Sequence, residues 1–172
     1  MRIANIIHEI ASGYVGQQEV GQNDSFESMV FQRYLESVGW EPGQAWCSYF
    51  VELCWKQAYK NTSFMLKELD ALFSGSAVQT FRNFETAHWG IGGTPLRGAL
   101  AVWQKYKDGK ETWMGHIAIV ESFKDDTITT IDGNSNNDGS RRGYEVARVE
   151  RKVLTEADNG LVFLGFIYPI EL

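Results

Sequence analysis

The sequence predicts an α+β fold, with N-terminal helices packed on a C-terminal antiparallel β-sheet. Two observations carry that expectation. Up to residue 86, apolar side chains recur three and four positions apart, the period of a helix with one buried face. From Gly98 onward they come in runs of about six residues, separated by Gly, Asp and Asn, as strands joined by turns do. One switch of period, not a repeated alternation, excludes a parallel sheet with crossover helices.

The elements follow in order. Ile3, Ile6, Ile7 and Ile10 share a stripe on a first helix over residues 2–11, and Gly13 and Gly16 end it. Phe26, Met29, Val30, Tyr34, Leu35 and Val38 mark a second helix over 25–38, with Asp24 or Ser25 as cap and Gly39 as stop. Glu41, Pro42 and Gly43 make a turn, and a third helix runs from about Ala45 to Tyr59. Its polar side chains Ser48, Glu52 and Lys56 fall on one narrow strip, and nearly all the rest is apolar. Such a helix belongs at the centre of its domain, with Glu52 and Lys56 as a solvated pair. Shorter helices are expected at 62–73 and 76–86. Strands are expected at 98–106, 115–123, 127–132, 144–150 and 161–170, forming an antiparallel meander. YKDGKETWM, KDD and GNSNNDGSRRG read as the loops between them.

A chain of 172 residues, 44% hydrophobic and 22% charged, suits one domain over 1–172 with a full core, and excludes a disordered or fibrous protein. The formal charge of −6 argues against nucleic acid or anionic lipid as partner. No apolar run reaches the ~20 residues of a membrane span. Asn5, His8 and Glu9 interrupt the segment that a signal peptide would need unbroken. Synthesis is therefore expected to end in the cytoplasm, with export by a route the sequence does not show. The two cysteines, Cys47 and Cys54, both lie on the third helix. That spacing separates their Cα atoms by about 10.5 Å, beyond the ~7 Å of a disulfide. They are expected to be free thiols, with no zinc site and no cofactor.

Three features carry chemistry. Cys47 opens the third helix in GQAWCSYFV, where the first backbone N–H groups and the helix dipole favour thiolate. His116 opens a strand in GHIAIVES, and an imidazole there can take the thiol proton and later return it. Asp132 and Asn134 close a strand in TIDGNSN, and either can accept from the far ring nitrogen. Whether they meet depends on register, since adjacent strand residues alternate faces. A two-residue Asp125-Asp126 turn pairs even with odd positions and puts Asp132 and Asn134 on the wrong face. An odd loop or a bulge, expected at Gly133, brings all three together. Gln44 is placed either to donate to an oxyanion beside the Cys47 N–H or to cap the helix. Trp46, Trp89 and Trp113 either wall a sugar-stacking groove or pack in the core. His8 and His88 lack a partner motif.

In this order, WCSYFVELCW, GHIAIV and IDGN resemble the CHAP branch of the papain-like cysteine hydrolases, related to the NlpC/P60 enzymes. With NFETAHWG, TPLRGALAVW and FLGFIYP added, roughly residues 10–170 are similar to phage-associated CHAP proteins and single-domain endolysins. The resemblance implies a papain-like fold and cleavage of peptidoglycan, at the sugar–peptide amide or within the stem peptide. It also implies Cys47 as nucleophile, His116 as base, Asp132 at a position often filled by Glu, and Asn134 as the amide beside it. Ala99 stands where many CHAP sequences carry Asp, and the acidic calcium loop of some relatives is absent. Other readings are an injected amidase effector with an immunity partner, a non-catalytic wall-binding or virion module, and a protease or transpeptidase acting on proteins.

Overall fold

The computed structural model describes residues 2–135, 143–153 and 160–172. Helix α1 (Ile3–Gly13) buries Ile3 and Ile7 of the predicted stripe together with Ala11, and leaves Ile6 and Ile10 half-buried. Strands β1 (Glu19–Val20) and β2 (Ser25–Phe26) then pair as a short hairpin. That hairpin takes Ser25 and Phe26 from the helix expected over 25–38, so α2 (Met29–Ser37) begins later. Its cap is Ser28, whose Oγ accepts from the Phe31 N–H at 3.2 Å. Phe26 is buried all the same, edge-on to Phe31, Trp40 and Trp46.

Helix α3 (Cys47–Ala58) is the central one, with Cys47, Phe50, Val51, Leu53, Cys54 and Trp55 all buried. Its polar strip is not solvated as expected. Glu52 is buried, and Lys56 Nζ lies 2.5 Å from Glu52 Oε1 and 2.5 Å from Asp70 Oδ1. The lysine thereby ties α3 to α4 (Ser63–Leu72), the element that carries Asp70. Helix α5 (Ala77–Thr86) follows, capped by Ser76.

The main sheet contains β3 (Ile91–Gly92), β4 (Leu100–Lys107), β5 (Lys110–Lys124), β6 (Thr127–Ser135), β7 (Glu145–Lys152) and β8 (Leu161–Ile167). Among the described residues its order is β3-β8-β4-β5-β6-β7, antiparallel throughout. The expected meander holds from β4 to β7, but β8 crosses back to pair with β4 instead of β7. YKDGKETWM is not a loop. Its Asp108-Gly109 pair, both at positive φ, makes the tight turn of a hairpin that lengthens β4 and β5. Of the loop expected at 133–143, residues 136–142 lie outside the described residues.

Helices cover one face of the sheet, where Leu100, Val102, Ile117, Ile119, Ile131 and Val146 join the main core. The other face has its own cluster of Ala101, Trp103, Ala118, Val120, Ile128 and Phe166. Burial on both faces explains why the central strands read as unbroken apolar runs. Among the described residues no helix is long and apolar enough to cross a membrane.

Candidate active site

Register decides which side chains meet. The Asp125-Asp126 turn pairs Lys124 with Thr127 and Ser122 with Thr129, the parity that would separate His116 from Asp132. Glu121 is then an extra residue, and Val120 pairs with Thr130 and Ile119 with Ile131. The parity is restored and His116 shares a face with Asp132. The bulge that restores parity with β5 therefore sits at Glu121, which is held from three directions, while the irregularity at Gly133 and Asn134 lies in the β6–β7 pairing, between Asp132 and Ser135. The Glu121 carboxylate accepts from Arg148 Nε at 2.9 and 3.0 Å and lies 3.1 Å from His8 Nε2, while its carbonyl accepts from Arg97 Nε at 3.0 Å. Gly133 also serves packing, since a Cβ there would lie 2.6 Å from Phe50 Cβ and its bareness lets α3 close on β6.

Pairing between β5 and β6 runs no further than Ile119 and Ile131, and the tip of α3 enters the gap beyond. The Val120 N–H donates to Ala99 on the β4 side, so by alternation the Ile117 N–H points into that gap. There it hydrogen-bonds the Cys47 sulfur, as does the Ser48 N–H at the helix start. Cys47 is buried, with 8% of the residue exposed, and the His116 side chain is 16% exposed.

His116 Nε2 lies 2.6 Å from Asp132 Oδ2, and the other ring nitrogen, Nδ1, is left for the hydrogen bond to Cys47. Asp132 is fully buried, and its Oδ2 also accepts from Arg151 Nη2 at 2.5 Å. Arg151 in turn lies 5.2 Å over the Trp103 ring. Burial pushes the Cys47 thiol up, but the hydrogen bond and charge of His116 outweigh it and bring the thiol below its ordinary value. Burial pulls His116 down, and its bonds to Asp132 and Cys47 reverse that, raising it to about 9. Burial likewise opposes ionisation of Asp132, but the charges of Arg151 and His116 hold it at about 2. The three titrate as a unit. All three shifts run in the direction of thiolate, imidazolium and carboxylate.

The CHAP domain family model matches residues 39–134, a span that includes Cys47, His116, Asp132 and Asn134. The chain belongs to the CHAP domain family. Membership points to peptidoglycan hydrolysis as the class of activity and to peptidoglycan as the substrate. No curated protein and no solved structure matches the chain. The CHAP match stops short of β7, so Arg151 is a feature outside it.

Other sequence-predicted residues of the CHAP domain fall in different places. Asp132, not Asn134, meets His116 Nε2. Asn134, at φ 53°, lines a 410 Å³ cavity with Glu19, Asn23 and Tyr144. Gln44 is exposed, and its Oε1 accepts from the Glu41 N–H at 3.1 Å, closing the turn ahead of α3. The cap position of α3 belongs to Trp46, so Gln44 does not cap that helix. Trp46 cannot wall a groove, because it is fully buried and its indole N–H donates to Glu19 at 2.7 Å. Trp89 packs edge-on to Phe84 and bonds the Tyr168 carbonyl. Trp113 is 78% exposed, a free aromatic face on the same strand as His116. Among the described residues no group of three or more His, Cys, Asp or Glu is placed to hold a metal ion.

Sequence reasoning missed Arg151. An arginine on a strand reads as a solvated cation, and only the β6–β7 pairing, with Arg151 opposite Ile128, puts it on the Asp132 face.

Proposed function

We propose that this CHAP domain cleaves an amide of peptidoglycan by thiol acyl transfer, at the bond joining stem peptide to sugar or at one within the stem. The observation that carries the reading is a sulfur at a helix start, hydrogen-bonded to an imidazole that is itself bonded to a buried carboxylate.

Cys47 thiolate attacks the amide carbon, and the oxyanion that forms is met by backbone N–H groups at the start of α3. His116 gives its proton to the leaving amine, the C–N bond breaks and a thioester remains on Cys47. Neutral His116 then takes a proton from water, which attacks the thioester, and the carboxylic acid leaves as the thiol is restored. Asp132 holds the imidazole in the tautomer and orientation both steps require. Trp113 offers its open ring to the sugar or peptide of the wall. The phage-type motifs support an endolysin-type setting, with synthesis in the cytoplasm and action on the wall after release.

The test is digestion of purified sacculi, with released amines quantified and muropeptides identified by mass spectrometry. The wild-type chain should release one new amine class, and Cys47→Ala should release none while keeping its circular dichroism spectrum. Equal release by Cys47→Ala would end the mechanism. The mass of the products assigns the bond.

A further inference from the structure

We propose that Arg151 is a positioning residue of this site, fixing the Asp132 carboxylate for His116 and limiting how tightly the imidazolium keeps its proton. The inference rests on the roles given above to Cys47 and His116.

Arg151 is not placed like a surface cation. Its Nη2 donates to the same oxygen that accepts from His116, on a carboxylate with no exposed surface. Its guanidinium lies over Trp103, whose ring centroid is 6.1 Å from that of His116. The Arg151 side chain is 24% exposed, against 45% for Arg148, which pairs with Glu121 nearer the surface. Arg151 Nε, a donor, and Asp132 Oδ1, an acceptor, are both buried and unpartnered. They are complementary, and a small turn of the guanidinium converts a one-point contact into a two-point fork.

Cys47 from α3, His116 from β5, Asp132 from β6 and Arg151 from β7 thus form a row of alternating charge. Strand β4 contributes Trp103 and β8 contributes Phe163, neither of them titratable. Glu150 and Lys152 flank Arg151 and so point to the opposite face, where Lys152 approaches Asp126 at 3.9 Å. A buried carboxylate with His116 as its sole partner would hold the imidazolium strongly and make it a poor acid toward the leaving amine. Sharing Oδ2 with a fixed cation weakens that hold. Removing a positive charge raises the pKa of every neighbouring group, so its loss must move both the thiol and the imidazole to higher pH.

The experiment is an NMR titration of the histidine rings in the full chain. Only three histidines are present, so His116→Ala assigns the signal. Arg151→Met should raise the His116 midpoint by about half to one pH unit, and Arg151→Lys, which keeps the charge, should restore it. Asp132→Asn should lower the midpoint, and Asp132→Asn with Arg151→Met should fall between Asp132→Asn and wild type. An unchanged or lowered midpoint in Arg151→Met would overturn the proposal. So would a double variant that titrates with Asp132→Asn. The double variant leaves no unpaired buried charge, and so reads the effect even if Arg151→Met alone fails to fold. No wall substrate enters this measurement, so inactivity on peptidoglycan would defeat the hydrolase reading and leave the titration intact.

Discussion

Cys54 lies about two turns along α3 from Cys47 and has burial alone acting on it, which pushes its thiol well above the ordinary value. Cys47 is buried too, though 8% exposed where Cys54 has no exposed surface, and it has an imidazole and two backbone N–H groups at its sulfur, which reverse the sign. The difference was legible in the sequence, because a helix start and a helix interior are distinguishable there. His116 and Asp132 were legible by type and by order along the chain, whereas Arg151 depended on a pairing across β6 and β7 that no local pattern encodes. At this scale the prediction concerns pH. The leaving amine needs the imidazolium, so wall hydrolysis should decline as pH rises through the His116 value of about 9. Asp132→Asn should move that limb to lower pH and reduce kcat/KM by roughly 10²–10⁴-fold, measured by amine release.

At the scale of elements, the site exists because one extra residue in β5 changes which side chains share a face. Turn residues alone gave the wrong parity; the irregularity expected at Gly133 is present in the pairing with β7, but the bulge that sets the parity with β5 is at Glu121. Its position is set by Arg148, His8 and Arg97, which come from elsewhere in the sequence. Helices α1, α3, α4 and α5 followed from periodicity within a few residues. The start of α2 did not, since Ser25 and Phe26 were taken by a strand partner at Glu19 and Val20. The return of β8 to β4 is likewise a long-range choice. Close approach of α3 to β6 gives the test. Gly133→Ala places a Cβ against Phe50 and should cost about 1–3 kcal/mol in urea denaturation, with a larger fractional loss of activity. Gly13→Ala, which meets nothing within 4 Å, should match or slightly exceed wild-type stability.

For the whole molecule, the site's ionisation is coupled to folding. Asp132 is depressed from 3.8 to about 2, so its contribution is complete above the unfolded value and is lost as pH falls through 3.8 toward 2. His116 is raised from 6.5 to about 9, so its contribution is complete below 6.5 and is lost as pH rises toward 9. The two windows overlap between 3.8 and 6.5. Thermal melts should show the widest Tm gap between wild type and Asp132→Asn in that interval, narrowing on both sides. A gap independent of pH would mean that the pair is not ionised in the folded state. The α+β class was legible at this scale because the change from helical to strand period occurs once. The second core, on the far face of the sheet, was legible only as unbroken apolar runs whose meaning depends on what covers them.

The most direct measurement is the rate of Cys47 alkylation by iodoacetamide across pH in the folded chain, followed by mass spectrometry. An activated pair predicts rapid modification of Cys47, and not Cys54, at pH values below the ordinary thiol value of 9.0, with that advantage lost in His116→Ala. Modification of Cys47 with a midpoint at or above 9.0, unchanged by His116→Ala, would contradict the account.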